Sequence, residues 1–138
     1  MKEKSIIEKI MKVKIMKDKM NENSNADSEN DLQDLCKVVK KYIREQNFEE
    51  CTRIIPKYME LYPNSAIPHN LLGIVLEMQG KHTDAMKHFR AAVALDTTYV
   101  PAMENLNAYG EFSYEKRPAP AYSMEDSTRC RERVCMGF

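Results

Sequence analysis

Tryptophan is absent from this 138-residue chain, and glycine occurs only four times. With so few glycines there is neither a G-x-x-x-x-G-K nor a G-x-G-x-x-G loop to cradle a phosphate. A net charge is missing too. Lys and Arg total 21 and Asp and Glu total 21, so no global field points to nucleic acid or to an acidic polymer. No run approaches the ~18 apolar residues of a membrane-spanning helix, and the amino end lacks the unbroken apolar core of a secretory signal. A cytoplasmic protein is expected. Histidine is limited to His69, His82 and His88, none with a Cys at ligand spacing. Cys130 and Cys135 have four residues between them where common zinc knuckles have two, and no second pair is placed to complete a site. The closing Cys135-Met136-Gly137-Phe138 is a poor prenylation box because Gly137 is not aliphatic. No catalytic constellation, metal or cofactor is therefore expected.

What the chain does have is a pattern of apolar and small residues repeated at a spacing of 34. Residues 66 to 99 read His69-x2-Leu72-Gly73-x2-Leu76, then Ala85-x3-Phe89, then Ala92, with Gly80 between the halves. Residues 32 to 65 read Leu35-x2-Val38-Val39-x2-Tyr42, then Cys51-x3-Ile55, then Tyr58 and Pro63. Leu72 and Leu76 are four apart, as are Ala85 and Phe89, so each pair shares a helical face. Small residues at Gly73, Ala85 and Ala92 let two helices approach closely, and Phe89 fills the space beside them. Gly80 suits the left-handed backbone that ends a helix, and Ser65 suits an N-cap at the start of the next unit.

The pattern resembles the tetratricopeptide repeat, whose W-x2-L-G-x2-Y, A-x3-F and closing Pro recur as helix-turn-helix units. The second unit carries Leu72, Gly73, Ala85 and Phe89 of that pattern, and the first carries Tyr42 and Pro63. The departures are Thr97 at the closing Pro, His69 at the Trp and Cys51 at the Ala, together with Pro56 inside a helix it should kink or shorten. A third first-helix starts near Tyr99, with Pro101 at its beginning, and stops at Gly110, with no second helix after it. The resemblance implies an all-α helix-turn-helix solenoid spanning 32–110: repeats 32–65 and 66–99, then a capping helix 99–110.

The flanks differ in composition. Residues 1–20 hold seven Lys against Glu3, Glu8 and Asp18, with Ile6, Ile10, Val13, Met16 and Met20 at helical steps. This basic amphipathic segment has three readings: a helix on an anionic membrane surface, a cover for the end of the repeats, or disorder. Residues 21–31, rich in Asn, Ser and acid, read as a flexible linker. Residues 111–138 read as an extended or disordered tail interrupted by Pro118 and Pro120, with Tyr114, Tyr122 and Met124 able to fold back on the capping helix. Cys36 and Cys51 occupy core-like helix positions and read as small buried hydrophobes. Because solenoid units bury their faces only against neighbours, so few repeats call for extra cover from either flank or from a second copy of the chain.

In the family resembled, the first helix of each unit lines a concave groove. Carried over, that groove comprises Gln33, Cys36, Lys40, Ile43 and Arg44, then Ile67, Asn70, Ile74, Glu77 and Met78, then Glu104 and Ala108. Asn70 is placed to bond a bound peptide backbone, Lys40 and Arg44 to meet an acidic group, and Ile67, Ile74 and Met78 to seat apolar anchors; packing against a neighbouring helix is the competing role for Ile67 and Ile74. The basic pair that would clamp a chaperone's terminal carboxylate is missing, since Pro101 and Asn105 stand in its place. The resemblance thus implies a protein-binding adaptor or scaffold with another protein as its partner, not nucleic acid or a membrane surface, and with self-association as a further expectation. Its rivals are a secretion or assembly chaperone and a membrane-surface adaptor working through residues 1–20.

Overall fold

The computed structural model describes residues 25–110 and 119–127. The basic segment 1–20, Tyr114, Pro118, Cys130 and Cys135 lie outside the described residues. Five helices follow one another: α1 (Asn25–Arg44), α2 (Phe48–Leu61), α3 (Ala66–Met78), α4 (His82–Leu95) and α5 (Val100–Gly110). No strand occurs among the described residues. Contacts divide the chain into residues 1–30 and 31–138, and everything that follows concerns the second unit. The helix α1 begins at Asn25, inside the stretch read as a linker. Its first turns carry Asp27 and Glu29, and negative charge there complements the positive end of the helix dipole.

The 34-residue period of the sequence is also the period of the backbone. α2 and α4 have the same length and start 34 residues apart, and α3 and α5 start 34 apart. The turn after α1 is closed by Glu45 N–H to Lys41 O, Gln46 N–H to Ile43 O and Asn47 N–H to Tyr42 O, at 3.1, 3.0 and 2.8 Å. The turn after α3 repeats all three from Gln79, Gly80 and Lys81 to Val75, Glu77 and Leu76, at 3.1, 3.0 and 2.9 Å. The turns after α2 and α4 likewise share Tyr62 N–H to Tyr58 O with Asp96 N–H to Ala92 O, and Ser65 N–H to Tyr62 O with Tyr99 N–H to Asp96 O.

Both helix-ending turns need a left-handed residue. Gly80 supplies it at φ 79°, as its position in the sequence suggested, and Gln46 supplies the equivalent at φ 58° despite its side chain. Ser65 caps α3, its side chain accepting from Ile67 N–H at 3.3 Å. α2 is not shortened by Pro56; it runs on to Leu61, with Pro56 on the exposed side where water can serve the carbonyl that loses its N–H partner.

The centre of the unit is α3, which packs against α2, α4 and α5. A helix covered on several sides buries more than one stripe, and α3 buries Ala66, Pro68, Asn70, Leu71, Gly73, Ile74 and Val75. Gly73 faces Phe89 so closely that a Cβ there would lie 2.6 to 3.0 Å from three atoms of the ring. Phe89 is itself wholly buried and stacks on Tyr109 of α5, with centroids 5.8 Å apart and planes 3° from parallel. Ala85 and Ala92 are fully buried on the same helix as Phe89. Beside them Ala66, Ala92, Tyr99 and Ala102 form a small-residue cluster joined by Ile67 and Val93.

Phe89→Ala should cost about 3–5 kcal/mol by leaving a cavity, and Gly73→Ala about 1–3 kcal/mol by overpacking the same spot. Urea titration of the two variants and of Gly73→Ala combined with Phe89→Leu checks this, the double variant recovering part of the loss. Gln46→Gly should raise stability by about 0.5–1 kcal/mol, since glycine bears the left-handed backbone without the Cβ penalty. The urea midpoint is the measurement.

Candidate functional site

Three helices place a polar row at matching positions of the period: Cys36 on α1, Asn70 on α3 and Glu104 on α5, 34 residues apart. One turn further along α1 is Lys40, and beside Glu104 is Asn105. Asn70 is 0% and Asn105 2% exposed, so two carboxamides are buried where an unbonded amide is costly. The carboxamides bond each other, Asn105 Nδ2 donating to Asn70 Oδ1 at 2.8 Å. Their remaining capacity is turned on one residue of the chain's own carboxyl-terminal segment. Asn70 Nδ2 and Asn105 Nδ2 both donate to Ala121 O, at 3.0 and 2.8 Å. Ala121 N–H donates back to Asn105 Oδ1 at 2.9 Å. A carboxamide has the donors and acceptors of a peptide group, so this pair holds backbone and ignores the side chain attached to it.

The residues around Ala121 extend the contact to all three helices. Tyr122 is 9% exposed, with the Lys40 ammonium 5.5 Å from its ring centroid, within the range of a cation–π interaction. Its carbonyl accepts a long bond, 3.5 Å, from the Tyr99 hydroxyl. Burial pushes the Tyr122 hydroxyl up to about 12, with Tyr109 and Asp126 adding to the shift and Arg44 opposing it. Residues 123–126 then turn, closed by Asp126 N–H to Ser123 O at 3.0 Å. The turn brings Asp126 Oδ1 to 2.8 Å from Lys40 Nζ and Ser127 Oγ to 3.0 Å from Glu104 Oε1. A small pocket remains between α1 and this segment, lined by Gln33, Cys36 and Lys40 on one side and Tyr122, Ser123 and Asp126 on the other. Burial, reinforced by the Asp126 and Glu125 charges, pushes the Cys36 thiol up to about 12, which leaves it a poor nucleophile.

The candidate residues of the sequence thus divide. Lys40, Asn70 and Glu104 meet the segment directly, Gln33 and Cys36 line the pocket beside it, and Arg44 acts on Tyr122 through its charge. Ile74 is 0% exposed and belongs to the core, because α3 is covered on its other sides. Ile67 packs with the small-residue cluster. Glu77 accepts from His82 at 2.9 Å across the α3–α4 turn, away from the segment. Ile43 is half-buried, and Met78 is exposed at the end of α3. Neither shares in the bonds to the segment. Asn105 was missed as a ligand-facing residue. Its signal in the sequence was an Asn among apolar residues on the capping helix, which by itself reads only as a missing basic residue.

Compared with known families, curated proteins and solved structures, the chain matches none of them. No helix among the described residues is long and apolar enough to cross a membrane. None of their His, Cys, Asp and Glu side chains form a group of three or more that could hold a metal ion.

A second polar feature joins α3 to α4. His69 and His88 bring their Nδ1 atoms to 3.3 Å with rings stacked 5.6 Å apart, a contact available only while at least one ring is neutral. Burial, then the charge of His88, lowers the pKa of His69; burial also lowers that of His88, Lys87 adding to the shift and Asp84 opposing it. Both folded values lie below the ordinary 6.5, so the unfolded chain takes up these protons first as pH falls. Their contribution is complete above about pH 6.5 and is lost as pH drops below it. Melting temperatures measured between about pH 7 and pH 5 should fall, and His69→Gln combined with His88→Gln should flatten that slope.

Proposed function

We propose that this chain is a polypeptide-binding adaptor or scaffold, built as a tetratricopeptide-like solenoid of two repeats and a capping helix. Its site is the concave face to which α1, α3 and α5 contribute. The observation that carries this reading is the Asn70–Asn105 pair, which holds both the N–H and the C=O of one extended residue. A surface that satisfies a peptide unit so fully suits a polypeptide ligand in a way it would not suit a sugar, a nucleotide or a lipid. The solenoid reading is supported by the 34-residue recurrence of helix starts and turn hydrogen bonds. No turnover is part of the proposal; the buried thiol of Cys36 and the half-buried histidine pair have structural surroundings. A cytoplasmic setting accords with Cys36 and Cys51 as free, buried thiols.

The test is selection from a displayed random-peptide library on the full-length Ala121→Pro variant, in which the chain's own segment has lost its N–H to Asn105. Peptides should be recovered, and adding Asn70→Ala should weaken them about tenfold, the value of roughly one hydrogen bond to a buried group. Recovery of no peptide, or binding indifferent to Asn70→Ala, would end the reading. Ile74→Glu is not a useful variant here, since it would bury a carboxylate in the core and unfold the protein.

A further inference from the structure

We infer that residues 119–127 are a built-in ligand that must leave before the site can take a partner, and that the partner is a peptide of the same chemistry. This rests on the reading of the site as polypeptide-binding. The chemistry follows from the contacts. One residue must be small, because Ala121 is 3% exposed and pressed between two carboxamides that hold its backbone. The next must be aromatic, because Tyr122 lies against Lys40 with its ring mostly buried. Four residues beyond the aromatic there must be a carboxylate, because Asp126 pairs with Lys40.

Two features make the segment a removable occupant. The helices have their own core in Gly73, Phe89, Tyr109 and the small-residue cluster, none of which is supplied by residues 119–127. The segment is held instead by hydrogen bonds and an ion pair to side chains of α1, α3 and α5, and Met124 and Glu125 at its bend are exposed. Elements with few apolar contacts are the ones that open at low free energy. The same carboxamides set the need for an occupant. With nothing in place, Asn70 and Asn105 would keep their mutual bond and lose the peptide partner that satisfies the rest, so the site favours being filled by one segment or another.

Tethering sets how hard the displacement is. A segment joined by a short linker acts at an effective concentration of roughly millimolar, so an external peptide of equal intrinsic affinity competes at a large disadvantage. The apparent affinity is reduced by the fraction of molecules whose site is open. The partner must bind by more contacts than the chain's own segment makes, or the segment must be drawn away by something else.

The experiment uses the full-length protein and a fluorescent peptide of the sequence Pro-Ala-Tyr-Ser-Met-Glu-Asp-Ser, followed by anisotropy. Against the parent chain the peptide should bind weakly. Against Ala121→Pro it should bind at least about tenfold more tightly, and adding Asn70→Ala should remove that gain. A peptide with Lys at its seventh position should prefer a Lys40→Asp, Ala121→Pro chain over the Ala121→Pro chain alone, which fixes the register of the pair. Equal affinity for the parent and Ala121→Pro, or no binding to an Ala121→Pro chain that melts like the parent, would overturn the inference. If library peptides still bind in that case, the polypeptide-binding reading survives without it. Loss of folding in both Ala121→Pro and Asp126→Lys would overturn it too, by showing that the segment is part of the core.

Discussion

The contact between Gly73 and Phe89 is the constraint on which this small protein depends. A side chain at residue 73 would occupy the volume of the ring, so α3 and α4 can approach as they do only with hydrogen there. The ring's position in turn sets where Tyr109 can stack, and through Tyr109 it sets where α5 lies against α3. That placement decides everything polar on the other side. Asn70 is on α3 and Asn105 on α5, and their carboxamides bond at 2.8 Å only because the two helices are held at the distance the aromatic stack requires.

A polar pair in such a place is costly unless satisfied, and the chain satisfies it with its own backbone. The arrangement joins two requirements that usually conflict. A short solenoid needs cover for its exposed faces, and a binding site needs an open face. Residues 119–127 meet the first requirement with polar bonds, a form of cover that another peptide unit can replace. The ion pair of Lys40 with Asp126 is partly exposed, at 34% and 24% of side-chain area, so it adds little stability and mainly fixes register. Buried Ser127, bonded to Glu104, ends the segment with a further polar anchor in place of an apolar one.

The helices were legible because the forces that make them are local. Repeated small and large residues, Gly80 at a left-handed turn and Ser65 at an N-cap each act within a few residues, and all were found where the pattern put them. Gln46 shows the limit of that reasoning. It adopts the backbone of Gly80 one repeat earlier because the turn hydrogen bonds impose it, though nothing in its side chain advertises the fact. Pro56 shows another: a residue that disfavours helix is carried through by the packing of Ile54, Ile55 and Tyr58 around it. The start of α1 at Asn25, within a stretch too polar to bury much, was equally hidden.

The site was legible in part. Lys40, Asn70 and Glu104 could be named because their positions follow the period, whereas Ile74 at an equivalent position proved to be core because its helix is enclosed. Residues 119–127 and Asn105 could not be assigned, since a polar pairing between segments 16 to 51 residues apart leaves no periodic mark on the chain. By itself, then, the order of amino acids determined the helices, their turns and the close approach of Gly73 to Phe89, because backbone propensity and side-chain size act over short distances. Only the tertiary structure decided what lies against Asn70 and Asn105, because matching donors to acceptors requires both partners to be in place first.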